Sequence, residues 1–417
     1  MDRYAHIIRF PTLLLLTLLL SGCGEAVVMT GADRLARVGW EGATGLPAEG
    51  VGVITNHTGR LSDGTHLVDA LLDEGVGVAA VFSPEHGFTG DVPEGARVYA
   101  EGERYRGVPI HSLYGVGLSP TEEMLEGIRV LVYDIQDVGA RFYTYTSTLT
   151  LTLETAAARG IPYVILDRPD PIGGLRVEGP VLEEGLASFV GRHPIPVRYA
   201  LTPAEYVRYL GGEGLLEGFE ALDLRIVPLQ GWRRRMLYPE TGVPWVPPSP
   251  NMPTPATALV YPGTCLVEGT TLSEGRGTER PFELIGAPWA DGEAVAARLA
   301  GLGLPGVVFR PAAFTPGDPS SSVEVKWKGR VCSGVEVVVT DPDVFPSFLT
   351  GVAVVSAFRR LHPEDFYWRE AHFDRLAGVR WLREGIEAGL EPRELAARWE
   401  EETAAWAARS EGYRIYP

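Results

Sequence analysis

Lysine is almost missing from this chain. Of its 417 residues only Lys326 and Lys328 are lysines, so arginine carries nearly all the positive charge. Neither lies in a GxxxxGK[ST] loop, which excludes a Walker-type nucleotide site. Cysteine is scarce as well: Cys23, Cys265 and Cys332 are the whole set, and no CxxC pair exists. The eight histidines show no HExxH or comparable spacing, so no structural or catalytic metal is expected. Basic residues number 37 against 54 acidic ones, a net charge of −17. Binding to a phosphate backbone needs a basic patch, so nucleic acid is excluded as a partner. No GxSxG elbow marks a serine hydrolase. The GxGxxG at Gly301–Gly306 follows a helical stretch and precedes a strand, the reverse of dinucleotide-binding order, so no cofactor is expected.

The longest apolar run, Phe10 to Leu20, is too short for a spanning helix of about 20 residues. Preceded by Arg3 and Arg9 and followed by Leu20-Ser21-Gly22-Cys23, it reads as an export signal over residues 1–22. Leu-Ser-Gly-Cys resembles a bacterial lipobox. Cys23 is therefore the expected lipidation site, with residues 23–45 as anchor and tether on the periplasmic or cell-surface side of a membrane. Cys265 and Cys332 remain, either as a disulfide or as buried thiols.

From Val51 the chain alternates short β-branched runs with helical stretches. Strands are predicted at Val51–Thr55, Val76–Ser83, Val108–Tyr114, Arg129–Asp134 and Ile161–Leu166, with helices between them. That alternation predicts an α/β fold with a largely parallel, Rossmann-like sheet over residues 46–200. Polar residues gather where the strands end. Asn56 follows the first, Glu85 and His86 the second, Tyr114 closes the third, Asp134, Gln136 and Asp137 follow the fourth, and Asp167 and Arg168 the fifth. Ligands of open α/β sheets sit at the carboxyl ends of the strands, so this rim is the expected site.

Past Leu201 the alternation fades, and residues 201–417 are expected to form an α+β auxiliary domain. The stretch Pro244–Pro255 is proline-rich and reads as a stiff loop holding Trp245 and Asn251. Ser273-Glu-Gly-Arg-Gly-Thr278 brings Glu274 and Arg276 between glycines. Trp232, Trp245 and Trp289 are candidates for stacking on sugar faces, with core packing as the alternative.

With metals and cofactors set aside, carboxylates and arginines dominate the rim, which fits a glycosidase built on carboxyl groups. Glu85 is the first candidate; Asp134, Asp137, Glu268 and Glu274 are possible partners, unranked by sequence.

Several stretches are specific enough to carry a resemblance. Phe82-Ser-Pro-Glu-His-Gly87, Tyr133-Asp-Ile-Gln-Asp-Val-Gly-Ala-Arg-Phe-Tyr-Thr-Tyr145, Leu166-Asp-Arg-Pro169, Pro248-Ser-Pro-Asn-Met-Pro253, Tyr261-Pro-Gly-Thr264 and Glu274-Gly-Arg-Gly-Thr278 resemble the NamZ-like exo-β-N-acetylmuramidase family. The resemblance implies a Rossmann-like domain, an auxiliary domain completing the cleft, and release of N-acetylmuramic acid from the non-reducing end of peptidoglycan fragments such as MurNAc-GlcNAc. It maps the proposed catalytic glutamate onto Glu85, expected as general acid/base with His86 orienting it. Arg141, Arg168 and Arg276 are the expected grips for the lactyl carboxylate, and Asn56, Gln136 and Asn251 for hydroxyls or the acetamide. Asp134, Tyr143, Asp167, Glu268 and Glu274 complete the substrate-binding set. The substrate's own acetamide is an alternative nucleophile. Two positions depart from the family pattern: Tyr199-Ala-Leu-Thr202 stands where His-Gly-Met-Thr is usual, and Asp170 where Asn is usual. A capture protein without turnover, or an exo-hexosaminidase for another amino sugar, are the alternative readings.

Overall fold

A computed structural model describes residues 27–92, 102–115, 117–317 and 325–417. The export signal and Cys23 lie outside the described residues.

Ten strands and eleven helices follow one another along the described chain. The strands are β1 (Glu49–Thr55), β2 (Gly77–Ser83), β3 (Arg104–Tyr105), β4 (Val108–Ser112), β5 (Val130–Asp134), β6 (Tyr163–Leu166), β7 (Leu224–Val227), β8 (Leu284–Ala287), β9 (Val307–Phe314) and β10 (Cys332–Val339). The helices are α1 (Gly31–Val38), α2 (Trp40–Thr44), α3 (Leu67–Asp73), α4 (Tyr145–Arg159), α5 (Pro203–Gly212), α6 (Pro255–Thr264), α7 (Gly292–Ala300), α8 (Ser347–Leu361), α9 (Glu370–Ala377), α10 (Trp381–Glu387) and α11 (Pro392–Ser410).

The larger sheet runs β3-β4-β2-β1-β5-β6-β7, parallel throughout except for the short edge strand β3. Its strands are apolar on both faces because both faces are covered. Val51, Val53, Val132 and Val164 pack on one side with Leu35, Leu67 and Leu71, while Leu131, Tyr133 and Ile165 pack on the other with Leu149 and Leu153. This period-2 split is the side-chain alternation expected of a strand. The chain starts in the middle at β1, winds out to β4, then restarts beside β1 at β5, a doubly wound order with its switch point between β1 and β5. Leu224–Val227 pairs parallel with Tyr163–Leu166, so the sheet extends past residue 200.

A second, antiparallel sheet, β8-β10-β9, belongs to the other part of the chain. There α6 and α8 meet almost backbone to backbone. A Cβ built on Gly351 would stand 1.9 Å from the Gly263 carbonyl oxygen, so any side chain there would force the helices apart. This contact seats the 3₁₀ turn Cys265–Gly269 that continues α6. Gly269 in turn lies against Phe373, where a Cβ would come within 2.5 Å of the Phe373 Cα, and that approach brings α9 beside the turn. Cys265 and Cys332 are both buried and are not joined in a disulfide.

Candidate active site

The site assembles where the β2 end of the sheet faces the second part of the chain. Beyond β2 the backbone turns sharply: His86 and Gly87 both adopt left-handed conformations, at φ 69° and 72°. A non-glycine residue there costs about 1–2 kcal/mol, and such strain concentrates at functional sites. The turn holds Glu85 at the start of α4, where the Thr144 hydroxyl donates to Glu85 Oε2 at 2.7 Å. Thr144 is the N-cap residue of α4, yet its side chain makes no capping bond to that helix. His86 Nδ1 lies 2.8 Å from the Val92 carbonyl oxygen. That oxygen can only accept, so Nδ1 carries the hydrogen. Burial lowers the His86 pKa, against opposing contributions from Glu85 and the Val92 carbonyl, so the ring is neutral with Nε2 as its acceptor.

A cavity of about 230 Å³ opens beside these groups. Drug-sized ligand sites span about 300–1,000 Å³, so this one suits a single sugar unit. Glu85, His86, Tyr114, Tyr143 and Thr144 line it from the first part of the chain, with Phe189 and Val190 from the long loop after β6. Ser249, Asn251 and Met252 come from the proline-rich loop, and Tyr261, Cys265, Glu268, Arg276, Phe282, His372 and Leu376 from the second part.

Arg276 Nη2 meets Glu268 Oε1 at 2.5 Å and its Nε lies 3.2 Å from Glu274 Oε1. Lys326 Nζ pairs with Glu274 Oε2 at 2.8 Å. His372 Nε2 stands 3.4 Å from Glu268 Oε2. Burial alone would raise the Glu268 carboxyl, but the Arg276 charge and the His372 contact outweigh it and hold Glu268 well below the usual range.

Glu85, His86, Tyr143, Asn251, Glu268 and Arg276 are thus brought together, and the other expected site residues are not. Asn56 donates to the Tyr145 hydroxyl and accepts from Thr58, holding its own turn. Asp134 and Arg168 form a buried two-pronged ion pair at 2.5 and 2.9 Å. Gln136 donates to the carbonyls of Asp137 and Pro169. Arg141 donates to the carbonyls of Pro180, Ile195 and Leu376, clamping α9 to the loop after β6. Asp167 accepts from Thr202, Tyr416 and the Ala204 amide. Glu274 stands between Arg276 and Lys326, outside the cavity lining.

One cause unites most of these displacements. The proline-rich loop lies across the carboxyl end of β1, where the Pro248 carbonyl accepts from Tyr145 and the Pro247 carbonyl meets His57. The switch-point crevice is therefore filled by the protein, and the open cavity lies to one side, at β2 and β4. The tryptophans follow the packing alternative. Trp232 meets Tyr416, Trp245 meets Tyr238, Trp289 meets His362, and none lines the cavity.

Neither departure from the family pattern lines the cavity. The Tyr199 hydroxyl donates to Asp137 Oδ2, inside the protein. Asp170 is buried, which pushes its carboxyl up to about 7 despite the nearby Arg198 charge. A carboxyl raised this far above its unfolded value of about 3.9 keeps a proton that the unfolded chain has already released, so stability falls as pH rises from about 4 to 7. Asp170→Asn is expected to be more stable than the parent at pH 8, with the advantage vanishing below pH 4. Equal differences in urea midpoint at both pH values would refute this.

Thr144, Phe189, Ser249, Phe282 and His372 escaped the sequence reading. Thr144 and Ser249 carried a signal, each lying inside one of the family motifs, Tyr133–Tyr145 and Pro248–Pro253; His372 sits in ordinary helical sequence with nothing to mark it.

Comparison with known proteins agrees with this geometry. Peptidoglycan beta-N-acetylmuramidase NamZ of Bacillus subtilis is 41% identical over 391 residues, covering 93% of this chain and 91% of that protein. Two crystal structures of DUF1343 family proteins from Bacteroides fragilis superpose on the fold. One has a TM-score of 0.84 at 34% identity, covering 94% of this chain and 99% of the other, and the second 0.77 at 30%, covering 93% and 99%. Residues 51–256 match the family described as Exo-beta-N-acetylmuramidase NamZ, N-terminal, and residues 259–416 its C-terminal counterpart. With both halves matched in order and the cavity lined from each, the chain belongs to the NamZ family.

Proposed function

We propose that this protein is an exo-acting glycoside hydrolase that releases N-acetylmuramic acid from the non-reducing end of peptidoglycan fragments, with Glu85 as general acid/base. The observation that carries the reading is the placement of Glu85: a carboxyl group in a one-sugar cavity, oriented by the Thr144 hydroxyl and backed by a neutral histidine. Family membership and the Bacillus subtilis relative supply the substrate class. Glu85 passes its proton to the glycosidic oxygen as that bond to the anomeric carbon breaks, and takes one back from the water that completes hydrolysis. Asn251 is the polar group on the facing wall proposed to meet the acetamide, and Arg276, paired with Glu268 and Glu274, lines the same wall. The test is hydrolysis of a chromogenic β-N-acetylmuraminide beside the matching N-acetylglucosaminide. Preference for the muraminide supports the reading; muropeptide binding without turnover makes this a capture protein instead.

Thr144 belongs to this reading as the residue that positions Glu85. A hydrogen bond to a charged group is worth about 1.5–3 kcal/mol, so Thr144→Val should lower kcat by roughly 10- to 100-fold while KM changes little. Thr144→Ser should restore most of the loss. An unchanged kcat in the valine variant would remove the hydroxyl from the mechanism.

The enzyme is proposed to work outside the cytoplasm, tethered through a lipid on Cys23, on the strength of the Leu20-Ser-Gly-Cys23 motif. Labelling of the whole protein with a fatty-acid analogue, lost in Cys23→Ser, is the expected result; labelling that persists would end this part of the proposal.

A further inference from the structure

Two carboxyl groups line the cavity, Glu85 and Glu268. Glu85 accepts from an uncharged hydroxyl and precedes a neutral histidine. Glu268, on the turn seated by the Gly263–Gly351 contact, faces the Arg276 guanidinium at 2.5 Å, with His372 at 3.4 Å. Glu268 is thus held beside a fixed positive charge on the same cavity that Glu85 lines. A carboxylate kept ionised by such a partner is suited to the nucleophile's role, which needs the charged form. The other carboxylates considered for the second role are removed by position. Asp134 is locked to Arg168, Asp137 is bonded to Tyr199, Glu274 is held by Arg276 and Lys326, and none of them lines the cavity.

We propose that Glu268 is the second catalytic carboxylate, the nucleophile that attacks the anomeric carbon of the muramic acid unit, which makes the enzyme a retaining one. This rests on the muramidase reading and adds the partner of Glu85. In the first step a Glu268 oxygen bonds to C1 while the C1–O bond to the next sugar breaks. The electron pair leaves on that oxygen, which takes the Glu85 proton. In the second step water attacks C1, its proton passes to Glu85, and the C1–O bond to Glu268 breaks with the pair returning to the carboxylate. One water is consumed, and two sugars leave with C1 in its original β configuration. Arg276 and His372 keep Glu268 ionised and aimed; they are positioning residues.

The full chain is assayed on an aryl β-N-acetylmuraminide as Glu268→Gly and Glu85→Gly, with and without azide, and product anomers are read by NMR. Wild type is expected to release the β anomer first. Glu268→Gly should lose roughly 10⁴- to 10⁶-fold in kcat, the span seen on removing one member of a catalytic set, and azide should restore turnover with the α-glycosyl azide as product. An α product from wild type overturns the proposal. So does an azide-insensitive Glu268→Gly beside an azide-rescued Glu85→Gly, which would assign the nucleophile to the substrate's acetamide. A second measurement needs no variant: wild type treated with a 5-fluoro muramyl fluoride and digested should carry the sugar on Glu268, as seen by mass spectrometry. Wild-type turnover with no label on Glu268 sinks this proposal alone, whereas no muraminide turnover at all sinks the muramidase reading and takes the proposal with it.

Discussion

Glu85→Gln is expected to lower kcat on a β-N-acetylmuraminide by about 10²- to 10⁴-fold, the range that a positioned general acid/base contributes. KM should change little, because the amide keeps the shape of the carboxyl group and still offers an oxygen to the Thr144 hydroxyl 2.7 Å away. The exchange removes only the transferable proton. Steady-state kinetics on wild type and variant check it. A variant retaining a tenth or more of the activity would move the proton donor elsewhere in the cavity, with His372 the next group to examine.

Arg168→Met is expected to destabilise the fold by about 3–5 kcal/mol, the cost of leaving one member of a buried ion pair without its partner. Arg168 is 2% exposed and Asp134 is fully buried, with the guanidinium making two bonds to the carboxylate. Losing those bonds leaves Asp134 charged at the foot of the sheet, with desolvation no longer offset. Chemical unfolding is the measurement. At a temperature where the variant remains folded, KM for the muraminide should stay near the wild-type value. A raised KM with an unchanged unfolding midpoint would return Arg168 to the substrate-binding role that its strand-end position first implied.

Both predictions turn on how far the strand-end rule reaches. It placed Glu85 and His86 at the rim from sequence alone, and they line the cavity. The same rule placed Asn56, Asp134, Gln136, Asp167 and Arg168 there, and each is spent on internal bonds. Sequence gives no means to separate the two groups, because the difference is made by Pro247 and Pro248, more than a hundred residues beyond β5, whose carbonyls close the crevice over β1. Arg141 shows the same limit: a motif arginine that could have gripped a carboxylate instead ties three carbonyls from distant loops.

The elements themselves were legible. Strands predicted at Val51–Thr55 and Arg129–Asp134 form as Glu49–Thr55 and Val130–Asp134. Leu224–Val227 escaped because a four-residue strand with one face half-buried carries too little periodicity to stand out. The helix Pro255–Thr264 escaped because Pro262 and Gly263 read as a loop, whereas the close approach of Gly351 requires a glycine at that point of a helix. Local periodicity, turn chemistry and residue type therefore determined the parallel α/β fold, the family motifs and the candidacy of Glu85, since each is written within one short stretch of chain. Which carboxylate shares the cavity with Glu85, which arginine remains there and which polar residues are consumed inside the protein were decided only by tertiary structure. Those outcomes depend on contacts between residues such as Glu85 and Thr144, or Glu268 and His372, that are neighbours in space and 59 or 104 positions apart along the chain.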